Sequence, residues 1–145
     1  MKKINILPVL LLMCLITFGQ TNYYVSTNWN NNNSGSINSP FRNIQNAANI
    51  AQPGDSVIVM NGEYKCPWNH ANCSVGDWCQ AAVILIDVHG ILGNLIVFKS
   101  QNKHGAKISF FGRGGFICQD CSYLVINDYN GYQRPIGSYI DEGTY

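Results

Sequence analysis

Charge is scarce in this chain. Nine Lys and Arg face eight Asp and Glu in 145 residues, which leaves a formal net charge of +1. No stripe of basic residues exists, so the clustered cations that neutralise phosphates are missing, which argues against a nucleic-acid partner. Scarce charge here does not mean disorder, because hydrophobic residues make up 46% of the chain, too many for a long unfolded polymer. A second helical period is also missing. After residue 51 every apolar run is short and bounded by turn residues, which makes alternating strand–helix units an unsuitable reading.

Long apolar runs are absent except at the start. Lys2 and Lys3 precede "INILPVLLLMCLITF", and "TFGQT" supplies small residues near Gly19 and Gln20. This is the pattern of a secretory signal peptide over residues 1–20. The run is too short, and its sequel too polar, for a stable membrane span; an uncleaved anchor is the competing reading. Met13 stands before Cys14, where lipidation wants a small residue, so a lipoprotein site is set aside. The expected location is therefore secreted, either periplasmic or at the cell surface, and oxidising. Five cysteines remain in the mature chain: Cys66, Cys73, Cys79, Cys118 and Cys121. All five are disulfide candidates, and the odd count allows at most two internal bridges.

The mature residues 21–145 open with a strand signal at Tyr23–Val25 and an Asn-, Ser- and Gly-rich loop. "SPFRNIQNAANIA" is the one clear helix. Ser39 suits its N-cap and Pro40 its first position, with Phe41, Ile44, Ala47 and Ala48 on one apolar stripe. "QPGDSVIVMNGEY" then places a turn, a short β-branched run and a second turn in quick succession. Further strand candidates are Ala82–Ile86, Leu95–Lys99, Lys107–Phe111, Phe116–Cys118 and Tyr123–Asn127. Matching "VILI" at Val83 with "KISF" at Lys107, and "LIVF" at Leu95 with "LVIN" at Leu124, suggests similar strands returning roughly every 20 to 30 residues. Such a period in all-β sequence fits a coil of stacked rungs, although an antiparallel sandwich also spaces its strands closely.

The segments "YYVSTNWN", "SPFRNIQNAA" and "PGDSVIVMNGEY" together resemble the N-terminal part of secreted right-handed parallel β-helix proteins, the pectate-lyase-like superfamily. "GNLIVFKSQNKHGAKISFFG" and "CSYLVIND" look like the second and third rungs. The resemblance implies an all-β fold, a right-handed parallel β-helix of about three rungs. An amphipathic helix would cap its first end, and residues 65–80 would be a Cys- and Trp-rich insertion. The last rung lacks a cap, so the chain is expected to be an N-terminal portion, a truncated fragment of a longer protein. A small natural domain held by disulfides is the alternative.

The resemblance also implies chemistry on acidic polysaccharides. Elimination needs a neutralised uronate, often through Ca²⁺, and a Lys or Arg base; hydrolysis needs paired carboxylates. Those groups lie on central rungs, and no motif here matches a catalytic set. The catalytic residues are therefore unassigned, no metal ligand set is expected in this chain, and Ca²⁺ is expected only in the longer protein. The primary expectation is a polysaccharide lyase, and the alternative is a non-catalytic surface or adhesive scaffold or glycan-binding module. Trp68 and Trp78 in "KCPWNHANCSVGDWCQ" are candidate sugar-stacking faces, against a role in packing the insertion down. Cys66, His70, Cys73 and Cys79 have zinc-like spacing, but export favours bridges. Asp87 and His89 alternate with apolar neighbours and face outward as a solvated pair, with metal or sugar binding as the competing reading. Lys99, Lys103, His104 and Lys107 form a basic turn, whereas Asp120, Asp128 and Asp141 lack Ca²⁺-loop spacing. "CQDC" has redox-pair spacing without the matching strand–helix context, and its cysteines are expected at a corner, stacked inside or bridged to the insertion.

Overall fold

The computed structural model describes residues 19–65, 81–110 and 114–133, with backbone alone for 131–133. The signal-peptide reading and most of the insertion, with Trp68, Trp78, Cys66, Cys73 and Cys79, fall outside these residues. Among the described residues no helix is long and apolar enough to cross a membrane.

Nine short strands and one helix make up the described chain: β1 Asn22–Val25, α1 Ile44–Ala48, β2 Ser56–Val59, β3 Gly62–Lys65, β4 Val83–Ile86, β5 Ile96–Ser100, β6 Ala106–Phe110, β7 Phe116–Gln119, β8 Leu124–Asn127 and β9 Asn130–Gln133. They form three sheets, ordered β1-β2-β5-β8, β3-β6-β9 and β4-β7. Every strand pair is parallel. Following the chain, β2, β3 and β4 visit the three sheets in turn; β5, β6 and β7 repeat the visit, and β8 and β9 begin it again. Each strand therefore pairs with its counterpart one cycle earlier, and the protein is all-β with parallel sheets. The strands are short because each ends at a corner that passes the chain to the next sheet.

The register corrects one alignment made from pattern alone. Val83 pairs with Phe116, whereas Lys107 pairs with Glu63, so "VILI" and "KISF" belong to different sheets. The true partners of "VILI" were hidden because "FICQ" is less apolar and only its place in the cycle selects it. β3 and β9 were not foreseen either: "GEYK" and "NGYQ" carry turn residues or charges that read as loop.

The core runs up the inside of the three sheets. Val25, Val57, Val59, Val83 and Phe98 are fully buried. In the register Tyr23 lies beside Val57, and Val57 beside Phe98, so side chains stack in files. Phe98 and Phe116 meet edge-on at 6.0 Å, and Phe116 and Tyr129 at 5.3 Å. Burial fades along the chain: Phe98 is 0% exposed, while Ile126, its register partner in the following cycle, is 44% exposed.

The first end is closed, and α1 does part of that work. Ile44, Ala47 and Ala48 are buried against β1, β2 and β4, and Phe41 and Ile44 face inward as expected. The helix is shorter than its apolar stripe, beginning at Ile44 with Asn43 as N-cap instead of at Ser39. The physical reason is that β1 claims Phe41. The Phe41 N–H donates to the Tyr24 carbonyl at 2.9 Å and the Ser26 N–H to the Phe41 carbonyl at 2.8 Å, which extends the sheet. Gly35 completes this edge, its carbonyl accepting from the Tyr24 N–H at 2.7 Å. It takes φ +78°, and a Cβ there would strike the Phe41 ring.

The Asn-rich loop is a structural clamp. Asn31 Oδ1 accepts from the Arg42 and Asn43 N–H groups at 3.1 and 2.9 Å, and Asn33 Nδ2 donates to the Pro40 carbonyl at 2.8 Å. Asp55 of the "PGD" turn is 1% exposed. Its two oxygens accept from Thr21 N–H and Gln52 N–H, both at 2.8 Å, tying the chain start to the end of the helical segment.

Candidate functional site

A sheet edge left open at the first end presents unpaired backbone groups, and such edges need cover. On the β4 side the cover is a side chain. Gln45 Nε2 donates to the Ile84 carbonyl and Gln45 Oε1 accepts from the Ile84 N–H, both at 2.8 Å. The primary amide thus imitates a strand partner, and it also donates to Asn49 Oδ1 at 2.7 Å. Beside this joint lies an open groove of about 1040 Å³ between the α1 segment and β4. Asn43, Gln45, Asn46 and Asn49 line one wall, and the residues from Ile84 to His89 line the other. The wall is rich in amides, which both donate and accept, and so matches hydroxyl-bearing ligands. Among the described residues no Lys or Arg lines it.

Asp87 and His89 stand at the lip of this groove. Ile86 pairs with Gln119, so the next residues, Asp87 and Asp120, follow the two strands at matching corners. Both take positive φ of 52°, a conformation that Asp tolerates better than most residues. The Asp87 N–H donates to the Gln119 carbonyl at 3.1 Å. His89 and Ser122 form a parallel bridge, with His89 Nδ1 2.9 Å from Ser122 Oγ. A Cβ on the adjacent Gly90 would collide with the Tyr123 carbonyl oxygen, so glycine is needed for the strands to approach there. Asp87, His89 and Asp120 are all exposed, and their candidate donor atoms lie within 4.8 Å of one another.

Cys118 and Cys121 are bonded to each other across the corner after β7, with Cα atoms 6.0 Å apart. The pair sits at a corner as expected, but its bond is within "CQDC" and not to the insertion. Asp120 lies inside that four-residue loop.

The remaining candidates do not converge. Lys99 and Lys107 are exposed on β5 and β6, and Lys103 and His104 occupy the exposed turn between them. The His104 N–H donates to the Asp128 carbonyl at 2.7 Å, a corner contact between cycles. Asp128 follows β8, far in the register from Asp87, and Asp141 lies outside the described residues. Sequence reasoning paired Asp87 with His89 and set Asp120 apart, with Asp128 and Asp141. The available signal was the shared corner: "LIDVHG" and "CQDCSY" each place Asp directly after a strand of the same sheet.

Burial pushes the phenols of Tyr64 and Tyr129 well above the ordinary tyrosine range. Tyr64 Oη lies 2.9 Å from the Met60 carbonyl and 3.1 Å from that of Val25. Both phenols are structural parts of the core wall.

No protein-family model matches the chain, and no curated protein matches its sequence. Solved structures do match. A rhamnogalacturonan lyase aligns with a TM-score of 0.51 and 20% identity, over 78% of this chain and 28% of its own. A GH136 lacto-N-biosidase from Eubacterium ramulus, as its selenomethionine derivative, aligns with a TM-score of 0.59 and 15% identity, over 86% of this chain and 22% of its own. The native form of that protein gives 0.53 and 16% over the same shares, 86% and 22%. At these identities the likeness is one of fold, and the chain spans about a quarter of the length of these proteins.

Proposed function

We propose that this chain is the N-terminal part of a secreted right-handed parallel β-helix protein of the pectate-lyase-like kind, and that the whole protein acts on polysaccharide. The observation that carries the reading is the repeated passage through three parallel sheets in fixed order, closed at its first end by α1. Two proteins that share this fold at low identity bear the names of a rhamnogalacturonan lyase and a lacto-N-biosidase, both carbohydrate-active. The whole protein is read as a lyase of acidic glycans, with its base and any Ca²⁺ ligands on cycles beyond these residues. Among the described residues the amide-lined groove is a place suited to a sugar chain, and Trp68 and Trp78, which lie outside those residues, are read as stacking faces.

A specific observation favours a second reading, a scaffold or glycan-binding module without turnover. Asn102 Nδ2 donates to Asn61 Oδ1 at 3.0 Å across the same corner of successive cycles, a stacked Asn pair that joins the cycles.

Affinity electrophoresis of the mature chain in gels containing rhamnogalacturonan, homogalacturonan, alginate or chondroitin tests the reading. Retardation by at least one glycan is expected, weakened by Asn46→Ala with Asn49→Ala, and with no ultraviolet-absorbing unsaturated product. Free migration in all four gels would overturn glycan binding by this chain. Release of unsaturated product would place the catalytic groups within these residues and overturn the assignment to later cycles.

A further inference from the structure

We propose that Asp87, His89 and Asp120 bind a divalent cation of the zinc class at the corner between the third sheet and the groove lip. The inference stands whether or not the groove takes a glycan.

Asp87 and His89 follow β4 and Asp120 follows β7, so the parallel pairing of those strands brings Asp120 to the other two. Their donor atoms already lie within 4.8 Å of one another. Zinc–nitrogen and zinc–oxygen bonds of about 2.0–2.2 Å put tetrahedral donors roughly 3.4 Å apart. The remaining closure, at most about 1.4 Å, is within the reach of rotamer changes in exposed side chains.

The donors are also held. His89 keeps Nδ1 against Ser122 Oγ at 2.9 Å, a partner outside the donor set, which leaves Nε2 as the ligating atom. A metal-binding imidazole ordinarily has its second nitrogen fixed in this way. Asp120 is carried by the loop that the Cys118–Cys121 bond closes, and its backbone sits at φ +52°, matching Asp87. Donor type sets the metal class. One imidazole with two carboxylates suits zinc-like ions, whereas Ca²⁺ takes six to eight oxygens in a looser shell. The site is therefore distinct in kind from the Ca²⁺ expected of acidic-glycan lyases.

The test is isothermal titration of the oxidised full chain with Zn²⁺, repeated on His89→Gln, on Asp87→Asn with Asp120→Asn, and on Ser122→Ala. Asn adopts the same positive φ and the positions are exposed, so these variants fold; circular dichroism checks this. Both ligand variants are expected to weaken Zn²⁺ at least tenfold, and Ser122→Ala to weaken it by about tenfold through the imidazole. Co²⁺ in place of Zn²⁺ separates this site from the insertion's cysteines, because only sulfur ligands give a thiolate charge-transfer band. The proposal is overturned by equal Zn²⁺ affinity in wild type and both ligand variants. It is equally overturned by cobalt whose whole signal carries the thiolate band, or by Ca²⁺ that binds as tightly as Zn²⁺.

Discussion

Gln45 offers the sharpest test of how the first end is sealed. Its amide makes two 2.8 Å hydrogen bonds to the backbone of Ile84, one in each direction. Gln45→Ala removes both and leaves an N–H and a C=O of a half-buried strand unpaired. A net hydrogen bond is worth about 1 kcal/mol, and an unsatisfied buried group costs about 1–3 kcal/mol. Water reaches part of this edge, so a total loss of about 2–3 kcal/mol is expected. With an m-value of about 2 kcal/mol/M in urea, the unfolding midpoint should fall by about 1 M or more. Gln45→Met keeps the volume and should lose nearly as much, which separates pairing from packing. Gln45→Glu keeps the acceptor for Ile84 N–H but sets a carboxylate against the Ile84 carbonyl. It should be as damaged as the alanine variant at neutral pH and should recover as pH falls below about 4, when the acid regains a proton to donate. Urea curves followed by circular dichroism provide the measurement. If Gln45→Ala and Gln45→Met both unfold within about 0.5 kcal/mol of wild type, as ordinary surface changes do, the edge-pairing account is wrong.

Three further outcomes follow from the same structure. Phe98→Ala should cost about 3–5 kcal/mol because Phe98 is fully buried, whereas Ile126→Ala, one cycle later and 44% exposed, should cost well under half of that in the same urea titration. Asp55→Ala leaves the Thr21 and Gln52 N–H groups without their acceptor and should cost about 2–4 kcal/mol, with proteolysis at residues 19–22 accelerating. Tyr64 and Tyr129 have folded-state pKa values raised above the ordinary 10.0 by burial. Their contribution is therefore complete below about pH 10 and is lost as pH rises above it. Stability of wild type should drop through that window, and Tyr64→Phe with Tyr129→Phe should flatten the drop in alkaline unfolding curves.

Local chemistry carried much of this architecture. Short β-branched runs such as Val57–Val59, cut off by "PGD" and "NG", signalled strands that end at corners, and the stripe through Phe41, Ile44 and Ala47 signalled a face to be buried. What stayed hidden was pairing. A parallel partner is fixed by the length of a whole cycle, so nothing near Val83 announces Phe116. Ser39 looked like a cap, yet Asn31, from the loop before it, takes the N–H groups ahead of the helix. The same blindness applied to the candidate site. Asp87 and His89 were visible as an alternating pair, but Asp120 joins them only through register.

The fading burial from one cycle to the next has a mechanical meaning. Each strand touches just its predecessor and its successor: Val59 lies beside Val25 and Ser100, and has no register contact with Asn127. Damage should then stay local, like a flaw in one course of brickwork, with energies adding between adjacent layers. Order should spread cycle by cycle from the helix-sealed base.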